Sequence, residues 1–319
     1  MRVLVTGGGG FVGQWLARRL IERGDDVTLG GLGSRPTTPA ILTAREWDAV
    51  AWRTLDVGDA RDVVAAIDAS RPELVVHLAG VSFVPRASSA PAAAFEVNVV
   101  GAVRLLAELA ERRRAGALDP VVLVIGSGMQ YGKHAAAEIP LVESAEQRPT
   151  TVYAATKAAQ EVAALQAHRA SGLRVVCTRS FNHSGPGHDP NFLLPALVQR
   201  VRDIARTGAR ALALGNDSVR DYLHVADVVN AYLLLAERGS PGEVYNVCSG
   251  SGVGVRQLAA EVLRRAGVTA EITTDPALVR EDDVPVLIGS PARLTQATGW
   301  TQQRSRDELI DDLLNAQAN

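Results

Sequence analysis

Val3-Leu4-Val5-Thr6-Gly7-Gly8-Gly9-Gly10-Phe11-Val12-Gly13 decides the fold: a short apolar run, four glycines, then the start of an amphipathic helix. Glycines between a strand and a helix permit a tight turn, let the backbone approach a pyrophosphate, and let the helix pack on the strand. The helix N-terminus presents free N–H groups and the positive end of its dipole to the phosphates. The spacing fits both Gly8-x-Gly10-x-x-Gly13 and Gly7-x-x-Gly10-x-x-Gly13. Its meaning comes from the strand–turn–helix setting rather than from the glycines alone.

Outward from this loop, short β-branched runs alternate with longer helix-like stretches. Strands are expected at Val3–Thr6, Asp26–Gly30, Leu74–Leu78, Val121–Ser127 and Arg174–Thr178, with a weaker one near Val50–Leu55. Helices are expected at Val12–Glu22, Asp59–Ser70, Ala92–Arg114 and Thr151–Ser171. This is the pattern of βαβ units and a parallel sheet, and continuously apolar runs such as Val121-Val122-Leu123-Val124-Ile125 suit strands covered on both faces. Phe181 to Pro195 reads as a long loop rich in Gly, Pro, Asn and His. Helices follow near Leu193–Thr207, Val225–Glu237, Gln257–Ala266 and Ser305–Ala316, with a strand near Glu243–Val247. The fold class is α/β: a doubly wound parallel Rossmann sheet, residues 1–179, with a smaller C-terminal substrate lobe, residues 180–319. Part of 220–247 is expected to return to the first sheet.

The chain has 319 residues and a net charge of −2, so it lacks the electrostatic footprint of a nucleic-acid or membrane-surface binder. It has no apolar run of membrane-spanning length, and its N-terminal run passes into glycines without a small-residue cleavage site. Cys177 and Cys248 read as buried hydrophobes in a reducing compartment. A cytoplasmic protein is expected.

A carboxylate for a ribose 2′-hydroxyl belongs at the end of the second strand, about 20 residues past the loop. The sequence there is Val27-Thr28-Leu29-Gly30-Gly31-Leu32-Gly33-Ser34-Arg35, with no acid. Ser34 and Arg35 instead suit a 2′-phosphate, which favours NADP(H) over NAD(H). The bland alternative for Arg35 is a solvated loop arginine.

Tyr153-Ala154-Ala155-Thr156-Lys157 puts a phenol and an ammonium four residues apart on one helical face. Chance pairing is rare with five tyrosines and only Lys133 and Lys157 as lysines, in a chain whose default cation is arginine. A nearby ammonium is expected to lower the phenol's pKa and favour proton transfer. Ser127, at the end of the fifth strand, is the expected third member, holding a carbonyl oxygen as charge develops on it.

At these residues the chain resembles the extended short-chain dehydrogenase/reductase family. The likeness runs through Thr6-Gly7-x-x-Gly10-Phe11-Val12-Gly13, Asp56-Val57, His77-Leu78-Ala79-Gly80, Asn98-Val99-x-Gly101, Ser127 with Tyr131-Gly132, and Tyr153-x-x-x-Lys157. It continues through Arg179-Ser180-Phe181-Asn182-x-x-Gly185-Pro186 and Arg220-Asp221-Tyr222-x-His224-Val225-x-Asp227. The resemblance implies that Asp56 and Val57 flank an adenine, that Leu78, Ala79 and Gly80 line the cofactor, and that Asn98 lies near it. It further implies Ser82, Asn182, Arg220 and Arg280 as substrate contacts, the arginines at a diphosphate. Within the family, Phe181-Asn182-His183-Ser184-Gly185-Pro186-Gly187-His188 and the tail from Arg280 look most like reductases of GDP-4-keto-6-deoxymannose. The related 4,6-dehydratases carry an acidic residue just after the Ser/Thr, where Gly128 and Met129 stand here.

These likenesses imply 4-keto reduction of a GDP-linked sugar with dissociable NADPH. A 4-epimerase or 4,6-dehydratase that keeps its nicotinamide is the first competitor, and a non-catalytic dinucleotide sensor the second. No metal is expected, since hydride transfer needs none. The alanine-rich helices, paired between subunits in relatives of this type, imply a homodimer or a dimer of dimers.

Overall fold

The computed structural model describes residues 1–279 and 283–316. Its strands are β1 (Arg2–Thr6), β2 (Asp26–Gly31), β3 (Ala51–Thr54), β4 (Leu74–His77), β5 (Val121–Ser127), β6 (Arg174–Ser180), β7 (Asn182–Ser184), β8 (Ala211–Leu214), β9 (Val219–His224), β10 (Val244–Val247), β11 (Gly252–Gly254), β12 (Glu271–Thr274) and β13 (Val286–Leu287). Seven of them form one sheet in the order β10-β6-β5-β4-β1-β2-β3, with every neighbouring pair parallel. The strand order reverses between β1 and β4, and Thr6 lies in register with His77 there. In open α/β sheets ligands bind outside the strands' carboxyl ends at such a switch point.

The helices are α1 (Phe11–Glu22), α2 (Ala44–Asp48), α3 (Ala60–Ser70), α4 (Val84–Ser89), α5 (Pro91–Phe95), α6 (Gly101–Arg114), α7 (Val152–Ser171), α8 (Leu193–Thr207), α9 (Val225–Arg238), α10 (Val255–Arg265), α11 (Ala292–Thr298) and α12 (Arg306–Asn315). Successive strand residues point to opposite faces, so each strand feeds two cores. Val3 and Val5 pack with Leu16 and Leu20 of α1, Val228 and Leu235 of α9 and Leu294 of α11. Leu4 and Val75 pack on the other side with Ile67 of α3, Leu105 and Leu109 of α6 and Ala164 of α7.

The small lobe is built on β9, which pairs with β7, β11 and β13, and on the parallel pair β8–β12. Leu197 and Val201 of α8, Leu258 and Val262 of α10, and Leu309 and Leu313 of α12 form its core. Though late in the chain, β10 is the edge strand of the large sheet and α9 packs against one of its faces.

The structure corrects two expectations. The single helix at Ala92–Arg114 is α5, a π-helical turn at Glu96–Val100, and α6. The stretch from Phe181 to Pro195 is not loop throughout, because Asn182–Ser184 pair with Tyr222–His224.

Candidate active site

The turn between β1 and α1 has the shape of an anion cradle. Gly7 sits at φ +67°, and a Cβ there would lie 2.8 Å from the Ala79 nitrogen. A Cβ on Gly13 would lie 2.6 Å from the Gly8 carbonyl oxygen. Only glycine meets both demands, the first conformational and the second steric. Gly10 caps α1 without a side-chain bond, leaving the first-turn N–H groups of Phe11, Val12 and Gly13 for an anion. Across the switch point, the Thr6 hydroxyl accepts from Ala79 N (3.1 Å) and lies 2.8 Å from His77 Nδ1. This holds Leu78, Ala79 and Gly80 against the loop. Burial drives the His77 pKa down to about 3, so the ring is neutral.

At the end of β2 the structure shows why no acid stands there. A Cβ on Gly31 would meet the Trp52 ring at 2.5 Å, and one on Gly9 would meet the same ring at 3.1 Å. Trp52 therefore spans the glycine loop and the strand end. Ser34 is exposed. The Arg35 guanidinium lies over the Trp47 ring, 4.7 Å from its centroid, and donates to the Trp47 carbonyl. Asp56 accepts from Gly58 N (2.8 Å), and Val57 is buried beneath Gly101.

Ser127, Tyr153 and Lys157 converge at the carboxyl end of β5 and the first turns of α7. Thr151 starts that helix by accepting from Ala154 N. The Ser127 hydroxyl lies beside the Tyr153 phenol, near enough to favour its ionised form. Lys157 is 5% exposed, and its Nζ donates to Ile125 O (2.8 Å) and Gln160 Oε1 (2.9 Å). Burial lowers its pKa to about 8. Tyr153 departs from the expectation that Lys157 lowers its pKa: desolvation raises it, opposed in part by the neighbouring Ser127 hydroxyl. The ammonium points instead to the carbonyl of β5.

The π-helical turn explains Asn98. It aims a buried side chain inward, where Oδ1 accepts from Val81 N (2.6 Å) and Nδ2 donates to Val81 O and Thr156 Oγ1 (3.1 and 2.8 Å). Asn98 thereby ties the β4 loop to α7 between Tyr153 and Lys157. Such π-turns concentrate at functional sites. Gly128, directly after Ser127, lies under Phe181: a Cβ there would meet three ring carbons at 3.0 to 3.1 Å.

On the small-lobe side, Asn182 lies on β7, and Arg220 of β9 pairs with Asp283 and donates to Val284 O (2.7 Å). Ser82 is exposed in the loop before α4. Arg280 lies outside the described residues. Phe11, His188 and Phe192 stack in sequence, with centroids 4.3 and 4.5 Å apart, and Phe83 meets Phe192 edge-on at 5.8 Å. Burial holds His188 neutral, its pKa near 3. A cavity of about 60 Å³ opens beside this stack, lined by Asn182, His188, Phe192 and Tyr222.

The roles of Trp52, Phe181, Gln130 and Glu161 come from contacts in the structure. Gln130 accepts the Ser127 N–H, and Glu161 pairs with Arg179. Glu161 left one signal, an acid four residues after Lys157 on the same helical face; the others became visible only through contacts distant in sequence.

Residues 4–313 match the family model described as GDP-mannose 4,6 dehydratase. The chain is 38% identical to the GDP-6-deoxy-D-mannose reductase of Pseudomonas aeruginosa over 246 residues, 76% of this chain and 80% of that one. Its structure is similar to that of RMD from Pseudomonas aeruginosa complexed with NADPH, with a TM-score of 0.80 and 29% identity, covering 98% of both chains. It is also similar to the UDP-glucose 4-epimerase of Thermus thermophilus in complex with NAD, with a TM-score of 0.84 and 30% identity, covering 99% of this chain and 98% of that one.

Proposed function

Because the chain belongs to the family described as GDP-mannose 4,6 dehydratase, among the extended short-chain dehydrogenase/reductases, we propose that it reduces the 4-keto group of a GDP-linked 4-keto-6-deoxyhexose with NADPH. The observation carrying reduction over dehydration is Gly128. Elimination of water needs a proton-transferring side chain beside Ser127, and a side chain that cannot move protons cannot run that step. Gly128 offers none, and the Phe181 ring fills the space where one would begin.

Residues 1–179 hold the cofactor and residues 180–319 mainly the sugar nucleotide. Gly7, Gly10 and the N–H groups of Phe11, Val12 and Gly13 take the pyrophosphate. Ser34 and Arg35 take the 2′-phosphate, Arg35 trading its contact with the Trp47 carbonyl for a doubly bonded anion. Asp56 and Val57 flank the adenine, while Leu78 to Gly80 and Asn98 border the nicotinamide half. Ser82, Asn182, Arg220 and Arg280 meet the sugar nucleotide.

Bound there, the nicotinamide supplies a hydride to C4. Ser127 holds the C4 oxygen, and Tyr153 gives that oxygen its proton. Its raised pKa keeps the phenol protonated until charge develops on the oxygen. Lys157, one helical turn on, would donate to the nicotinamide ribose and hold the cofactor beside Tyr153. NADPH is supported by Arg35 and by the NADPH complex of the similar RMD structure. The same reading keeps the protein in the cytoplasm, in line with buried free thiols at Cys177 and Cys248.

The test follows NADPH absorbance. A GDP-4-keto-6-deoxy sugar is expected to consume NADPH one for one, and GDP-mannose alone is expected to give no 4-keto product. Tyr153→Phe is expected to bind NADPH normally and turn over on the order of 10²–10⁴-fold more slowly. Dehydration of the plain sugar nucleotide without net cofactor use would replace this reading with the dehydratase one.

A further inference from the structure

The 3₁₀ turn after β5 (Gly128–Tyr131) is held by a buried polar cluster that does not touch the reacting atoms. Ser127 N–H donates to Gln130 Oε1 at 2.7 Å. Gln130 is fully buried, and its Nε2 donates to Glu161 Oε2 (2.9 Å) and Gln147 Oε1 (3.2 Å). Gln147 Nε2 in turn donates to Glu161 Oε1 at 2.6 Å. Arg179 closes the cluster with two bonds to the same carboxylate, Nε to Oε2 at 2.9 Å and Nη2 to Oε1 at 2.7 Å.

The chemistry of the partners fixes the direction of the amide. A carboxylate paired with a guanidinium only accepts, so the Gln130 nitrogen must face Glu161 and its oxygen must face Ser127. Gly126, just before Ser127, leaves room for the Gln130 amide: a Cβ there would lie 2.3 Å from the Thr178 carbonyl oxygen and 2.5 Å from Gln130 Oε1. With its N–H held by Gln130, Ser127 also accepts from Met129 N through its Oγ (3.2 Å), so backbone and side chain are both fixed at the end of β5. Tyr153, Lys157 and Glu161 recur every fourth residue on α7 and share one face.

We propose that Gln130 is a positioning residue for Ser127, oriented by the Glu161–Arg179 pair, so that α7 sets the serine as well as the tyrosine and lysine. This rests on the reading of Ser127 as the group that holds the C4 oxygen. Glu161 and Arg179 are poor first targets, since removing either leaves a buried charge unpaired. Gln130→Met removes the acceptor at similar volume and leaves the ion pair intact.

In the full-length protein, Gln130→Met is expected to lower kcat on the order of 10- to 10²-fold, as a small misplacement of a catalytic group does. KM for the GDP-4-keto-6-deoxy sugar and the NADPH dissociation constant should stay within about twofold, because ground-state binding is untouched. The Ser127 amide hydrogen should exchange faster. Gln130→Glu keeps the volume and, buried beside the Glu161 carboxylate, is held protonated, so that its C=O accepts from Ser127 N–H and its O–H donates to Glu161 with only the Gln147 bond lost; it is expected to keep kcat within about threefold of wild type. Wild-type kcat in Gln130→Met overturns the proposal whatever the amide exchange shows. So does a loss in which KM, cofactor affinity and thermal stability worsen together and Gln130→Glu loses kcat to the same extent. If Gln130→Met does not fold, Gln130→Asn, whose amide stops one methylene short of Ser127, goes through the same comparison with Gln130→Glu. A wild-type protein that leaves NADPH untouched defeats the functional reading instead, and Ser127 amide exchange then decides whether Gln130 holds the serine.

Discussion

Lys157 lies among neutral partners, the Ile125 carbonyl and the Gln160 amide, and its pKa falls from 10.5 to about 8. Between those two values the unfolded chain keeps a proton that the folded one has released. Stability linked to this group therefore rises as pH climbs from about 8 to 10.5. The proposed bond from Lys157 to the nicotinamide ribose runs the other way, because the charged ammonium is the stronger donor. The NADPH dissociation constant is expected to rise above about pH 8, and Lys157→Met to flatten that rise; isothermal titration across the range checks both. A wild-type constant that stays flat contradicts the role given to the charge. The pair Tyr153-x-x-x-Lys157 was legible in the sequence because its two members share a helix and their spacing alone aligns them. The direction of the Tyr153 shift was not legible, since it depends on where the Lys157 side chain turns and on what encloses the phenol.

Between the glycine loop and β3, the absence of an acid is legible in the sequence, whereas its cause lies in packing. Gly30 and Gly31 are visible as glycines; that Gly31 must stay small follows from the Trp52 ring on the adjacent strand. Arg35 was legible as a cation near the strand end, while its stacking on Trp47 of α2 was not. Arg35→Ala is expected to raise the NADPH constant and spare that of NADH, as fluorescence titration of both would report. Equal or tighter NADH binding by the unaltered protein counts against it. The helix expected at Ala92–Arg114 failed at Glu96–Val100 for a related reason. Nothing in its periodicity marks the π-turn, whose partners, Val81 and Thr156, arrive from other elements. The short strands β7, β11 and β13 escaped because they have three or fewer residues and owe their existence to β9.

The seven-stranded sheet was legible because its strands are continuous apolar runs divided by helices, a pattern that local sequence preserves. On its outer surface, Phe95 of α5, Val103 of α6 and Val162 of α7 remain 40%, 44% and 64% exposed. Apolar residues left exposed on contacting helices, α6 and α7, suit a second copy of the chain, since two-fold pairing is the commonest oligomer. A dimer or dimer of dimers is expected by light scattering at micromolar concentration, and a monomer refutes it. The central claim is that Ser127, Tyr153 and Lys157 serve a net reduction in which the hydride stays in the product. The direct measurement supplies NADPH deuterated at both C4 positions with a GDP-4-keto-6-deoxy sugar, then takes the mass of the product. The account predicts one deuterium on C4 for each NADPH oxidised. A product without deuterium, formed while the cofactor remains reduced, contradicts it.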